Sequence, residues 1–203
     1  MEDEEVAAAA AVQMESVQQA FATAKRAGIP AAMRLMKELR RVCVGGTFEV
    51  DLVDSAPQPL QQWAVRLYEW NFADDSQLAD DLGEMSTDEE PTPLCLSMKF
   101  PDDFPFAPPL VFVSSPQLHS GHVLDGALCM EMLVEWQPSY GNVEAMLVQI
   151  CAFLSVNSRV SALADQSAGP SSAPVDQEAA QRAYARLQSI HDRKGWGRVD
   201  AKS

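Results

Sequence analysis

Two of the chain's three histidines stand shortly before one of its four cysteines, in the stretch HSGHVLDGALCMEML that begins at His119 and contains His122 and Cys129. A thiol with an imidazole in reach can act as a nucleophile with its base: the thiolate attacks an acyl carbon and the imidazole moves the proton. The same residues allow a plainer reading, since a cysteine between Leu128 and Met130 ordinarily behaves as a small buried apolar side chain. Cys43 and Cys151, on apolar helix faces, and Cys95, in a strand, are expected to be of that plainer kind. His119 and His122 are not at H-x-x-x-H spacing and the chain has no C-x-x-C pair, so no metal site is expected. Taken alone, Cys129 with these histidines also fits a cysteine–histidine hydrolase.

Any such chemistry depends on what holds the loop. The irregular segment from Ser115 to Gly141 is too long for a plain connection and is expected to lack regular structure of its own. Leu118, Val123, Leu124, Leu128, Met130, Met132, Leu133 and Trp136 can pin it to a body, and Gly121, Gly126 and Gly141 permit turns that other residues resist. Before it, TFEVDLV, QWAVRLYEW, LCLSMKF and LVFVSS read as four strands, three of them alternating in the manner of an antiparallel sheet with one covered face. FPDDFPFAPP forms a rigid turn, with Phe104 and Phe106 expected to pack it.

Helical spacing predicts helices over 14–27 and 31–43, the second closed by Gly45 and Gly46. A third begins after the candidate N-cap Asn142, and a last helix runs from about Asp176 to Arg193. The segregation of helices and strands is α+β. Residues 1–13 read as a disordered acidic and Ala-rich lead. Residues 14–203 read as one domain, with a mobile acidic link at 73–90 and a linker at 166–175.

The bulk composition narrows the classes. With 203 residues and 47% apolar content, the chain can bury a real core. Its net charge of −14 argues against nucleic acid as a partner, and no run is long and apolar enough for a membrane span. The start is acidic where an export signal would be basic, so a reducing compartment, cytoplasmic or nuclear, and free thiols are expected. The charge is uneven. Arg34, Lys37, Arg40 and Arg41 crowd one helix around a single acid, Glu38, which makes either a solvated face or a docking site for an acidic protein.

From Leu35 to Trp196 the chain resembles the ubiquitin-conjugating enzymes. FPDDFPFAPPLVFV is similar to that family's Pro-rich turn and fourth strand, GALCMEML to its active-site strip, and EWQPSYGNVEAMLVQICAFL to its Trp-Pro segment and following helix. LMKELR, ALCMEML and AYARLQSIHDRKGW resemble the Q class, including its short members. The resemblance implies a four-stranded antiparallel meander flanked by helices. It also implies that ubiquitin is carried as a thioester on Cys129 and passed to an acceptor. The implied partners are ubiquitin, an activating enzyme, a ligase and a substrate protein. No cofactor is implied, since ATP is spent by the activating enzyme alone.

The strip departs from the wider family where His-Pro-Asn is usual, for His119-Ser120-Gly121 stands there. The Q class lacks that motif too and has an aromatic hydroxyl donor nearby, whose place His122 takes here. Val156 and Asn157 stand where an acid near the acceptor is expected. His191 and Trp196 match the C-terminal motif that the Q class places near its active site and links to transfer onto hydroxyls as well as amines. They can equally seal the last helix. Trp136, Asn157 and Glu131 are candidates for the acceptor channel, and Arg34, Lys37, Arg40 and Arg41 for docking the activating enzyme. The rival reading is an inactive ubiquitin-binding scaffold of the same fold.

Overall fold

A computed structural model of the chain describes residues 16–161 apart from 88, 89 and 125, together with 182, 185 and 186. Residues 16–26 form helix α1, which turns Ala20 and Ala24 inward. After Pro30, helix α2 spans Ala32–Gly45 and buries Leu35, Leu39 and Val42 at the spacing of one helical face. It stops at Gly46, whose φ of 66° lets its N–H turn back to the Val42 carbonyl. Cys43 is exposed rather than on the apolar face, because that stripe runs through Val42 and leaves the next residue outside.

The four expected strands form as an antiparallel meander: β1 (Glu49–Leu52), β2 (Gln62–Leu67), β3 (Leu94–Lys99) and β4 (Leu110–Ser115). Register follows the alternation, with Val50 opposite Val65, Val65 opposite Leu96 and Leu96 opposite Val113. Each of these is buried on the same face. The buried Trp63 and Phe100 rings lie 4.6 Å apart, and the buried Phe104 meets Phe100 edge-on. Phe106 does not pack the turn as expected. It is 75% exposed, since the turn closes its core side with Phe104 alone.

The acidic stretch between β2 and β3 is no structureless link. Helix α3 spans Gln77–Met85, starts on Ser76, whose side chain accepts the Ala79 N–H, and buries Leu78 and Leu82. These leucines lie one helical turn apart, and burying each stabilises the fold by roughly 1.5–3 kcal/mol. The density of carboxylates hides that two-residue stripe in the sequence.

The segment after β4 also holds more regular structure than its length predicts. It comprises β5 (Leu118–His119), β6 (Val123–Leu124), β7 (Ala127–Leu128), helix α4 (Glu131–Val134) and a one-turn 3-10 helix at Pro138–Tyr140. Strands β6 and β7 extend the meander into six strands, and β5 pairs with β8 (Arg159–Val160) in a separate two-stranded sheet. Helix α5 (Val143–Asn157) crosses the core, with the Asn142 side chain accepting the Ala145 N–H as foreseen. Of the expected last helix only residues 182, 185 and 186 are described, and they are helical. The lead at 1–13, the linker at 166–175, His191 and Trp196 lie outside the described residues. Among the described residues no helix is long and apolar enough to cross a membrane.

Candidate active site

Cys129 follows directly on β7. In the β6–β7 hairpin Val123 pairs with Leu128 and Leu124 with Ala127, which leaves a two-residue turn. Gly126 lies in it and takes a φ of 82°, as such turns require. The next step of the ladder is the Cys129 N–H donating to the His122 carbonyl at 2.7 Å. Cys129 is half-buried and, with Phe112 and Leu124, packs on the fully buried Ala127 in an apolar cluster apart from the main core. A backbone held by the ladder and a side chain at the rim suit a thiol that must stay fixed yet meet a macromolecule.

Burial works against ionising the other three thiols. Burial pushes Cys151 up to about 12. Burial also raises Cys95, and in Cys43 burial of one side and the Asp51 carboxylate act in the same direction. A thiol held protonated is a poor nucleophile.

The two nearby histidines separate. The link from His122 to Cys129 runs through the backbone, while its imidazole packs edge-on against Phe153 of α5 at 5.0 Å. The His122 backbone N–H donates to the Ser120 hydroxyl at 3.2 Å. His119 lies in the other sheet, exposed and opposite Arg159.

On the downstream side, exposed Glu131 opens α4. Trp136 packs: its indole N–H donates to the Pro105 carbonyl at 2.8 Å, and its ring lies 6.2 Å from Phe104 and 6.0 Å from Tyr140. Asn157 is exposed at the end of α5, where its amide donates to the Phe153 carbonyl at 3.0 Å.

The basic helix divides as well. Lys37 and Arg40 are exposed. Arg34 turns inward, with Nε 2.9 Å from Glu38 Oε1 and Nη2 donating to the Gly141 carbonyl at 2.8 Å. Arg41 Nη1 lies 3.5 Å from Glu38 Oε2, and the same oxygen accepts the Val143 N–H at 3.1 Å. Arg34 therefore has a structural post in addition to any docking role. In the sequence Glu38 stands only as the lone acid of a basic helix, yet its side chain is 0% exposed. The signal was present in its spacing, four residues after Arg34 and three before Arg41, which puts all three on one side of the helix.

A family profile described as "Ubiquitin-conjugating enzyme" matches residues 94–185, a span that includes Cys129 and α5. The human protein named "Ubiquitin-conjugating enzyme E2Q-like protein 1" is 35% identical over 167 residues, covering 79% of this chain and 95% of that protein. The human "Ubiquitin-conjugating enzyme E2 Q1" is 36% identical over 176 residues, covering 83% of this chain but 39% of that longer protein. With an α+β fold, an antiparallel meander and the cysteine strip in place, the chain belongs to the ubiquitin-conjugating enzymes, in their Q class.

Proposed function

We propose that the protein accepts ubiquitin as a thioester on Cys129 and transfers it to an acceptor on a substrate protein, a hydroxyl as well as a lysine amine. In the first step the Cys129 thiolate attacks the thioester carbonyl of ubiquitin held on an activating enzyme, and that enzyme's thiolate leaves. In the second, the acceptor nitrogen or oxygen attacks the same carbonyl, Cys129 leaves as a thiolate and the acceptor gives up its proton. A thiol serves both steps because it is a good nucleophile and a good leaving group.

The observation that carries this reading is the half-buried Cys129, tied by its N–H to the His122 carbonyl within a strip that matches the family. Developing negative charge on the carbonyl oxygen calls for a donor, and His122 or His119 is assigned to support the oxyanion or its loop. His191 is assigned to assist the acceptor, and Trp196 stands beside it in the same C-terminal motif. Exposed Lys37 and Arg40 on α2 are assigned to docking the activating enzyme.

The test is a charging reaction with activating enzyme, ATP and ubiquitin, resolved on a non-reducing gel beside Cys129→Ala. A thiol-sensitive adduct in wild type alone supports the assignment. An equal adduct in Cys129→Ala, or none in wild type with a competent activating enzyme, overturns it. The latter outcome favours a ubiquitin-binding scaffold, consistent with the absence of an acid at Val156 and Asn157.

A further inference from the structure

Glu38 is a carboxylate with no solvent exposure, and burying a charge is costly unless partners compensate. Its partners come from two separate parts of the chain. Arg34 and Arg41 belong to its own helix, and the Val143 N–H is the first of α5, where the helix dipole favours a negative charge. Arg34 then reaches across to the Gly141 carbonyl with a second nitrogen. Apolar residues of similar size can fill such a place without loss of stability, so a buried ion network specifies geometry more than it stabilises.

The geometry specified here is that of the segment from Trp136 to Asn142. It is held at one end by the indole of Trp136 on the Pro105 carbonyl and at the other by Arg34 on Gly141. Gly141 is buried so closely against Pro105 that a Cβ there would stand 2.5 Å from the proline side chain. Pro105 belongs to the turn whose Asp102 carbonyl accepts the Ala31 N–H just before α2. Helix α2, the Pro-rich turn and the segment downstream of Cys129 are thus fastened into one frame.

We infer that Arg34 and Glu38 are positioning residues for the transfer step: they fix the Trp136–Gly141 segment, which begins seven residues after Cys129, on the Pro-rich turn, and that segment orients the acceptor. The inference rests on the assignment of Cys129 as the thioester carrier. Charging needs a reachable thiol and a docked activating enzyme, whereas transfer needs an acceptor held in line with the carbonyl, which is the step sensitive to small displacements. The two steps should therefore respond differently to the same substitution.

The experiment uses the full chain with Arg34→Ala, Arg34→Lys and Glu38→Gln. Charging is measured as above, and single-turnover discharge is followed on free lysine and free serine. In parallel, proton exchange at the indole N–H of Trp136 is read by NMR, its signal identified through Trp136→Phe. The buried Trp63 indole, which donates to the Leu60 carbonyl at 2.8 Å, reports on the whole fold. Expected in Glu38→Gln, whose side chain has no solvent exposure, are charging within about twofold of wild type, discharge slowed about tenfold and faster exchange at Trp136 but not Trp63, while Arg34→Ala lowers discharge by more than it lowers charging and Arg34→Lys loses less. Discharge at the wild-type rate overturns the inference, and so does an equal fall in charging and discharge with faster exchange at Trp63. If wild type forms no thioester, the assignment of Cys129 fails and the inference fails with it. A wild-type thioester whose discharge ignores the substitutions overturns the inference alone.

Discussion

Gly126 offers a perturbation whose size can be worked out before it is made. Its φ of 82° is left-handed, and a Cβ added there would lie 2.7 Å from the Phe112 ring and 3.0 Å from the Val113 carbonyl. The same substitution at Gly46, with a φ of 66°, would meet nothing within 4 Å. Gly46→Ala therefore reports the backbone cost by itself: ~1–2 kcal/mol for the left-handed conformation, offset by ~0.4–1 kcal/mol from a stiffer unfolded chain. Gly126→Ala adds overpacking of ~1–3 kcal/mol, for a net loss of roughly 1–5 kcal/mol. Against a typical domain stability of ~5–15 kcal/mol, the protein stays folded, and urea denaturation at constant slope resolves the difference. Placed in a Phe112→Ala background, Gly126→Ala should cost less, because the ring is gone while the Val113 carbonyl remains. The turn sets the register of Ala127, Leu128 and Cys129, so charging by Gly126→Ala should slow by about tenfold, while Gly46→Ala charges normally. Equal stability of the two variants, together with wild-type charging by Gly126→Ala, would refute the claim that this turn fixes the thiol.

Three further outcomes follow from the geometry. Asn142→Ala removes the acceptor for the Ala145 N–H and should lower the urea midpoint by an amount worth about 1 kcal/mol. Cys151 is held up to about 12 while an unfolded thiol ionises near its ordinary value. Its contribution to stability is therefore full below the unfolded value and lost as the pH climbs toward 12. Denaturation measured across that alkaline range should fall less steeply in Cys151→Ala, and native Cys151 should resist iodoacetamide at pH 8 longer than Cys129. Reversal of exposed Lys37 and Arg40 to Glu should slow charging at low salt, and the deficit should shrink as salt rises. Charging kinetics at two ionic strengths check this.

The meander, α2 and α5 with its Asn142 cap were legible because their periodicities are long enough to stand above noise. Helix α3 was not, because Leu78 and Leu82 alone mark its buried side amid Asp80, Asp81 and Glu84. The short pairings around Cys129 were also hidden, since two-residue strands carry no pattern and depend on partners far away in the chain. Trp136 packs, but its Pro105 acceptor is a backbone carbonyl that sequence cannot point to. Exposure misled at both Cys43 and Phe106, where a residue's type says little about which side of an element it occupies.

The small β5–β8 sheet has a consequence for how the molecule breathes. Among the described residues Leu118 pairs with Val160 and His119 with Arg159, backed by the Ser161 N–H on the Gln117 carbonyl. The clasp ties the strand that precedes the Cys129 strip to the strand that follows α5, while β7 keeps its place beside β4 and α5 keeps its packing in the core. Asp81 of α3 latches the clasp, its Oδ2 accepting the Val160 N–H at 2.7 Å. The acidic insertion thus controls local opening: slipping this one latch should expose amides on both sides of the clasp to hydrogen exchange together, as a single unit, well before the meander unfolds.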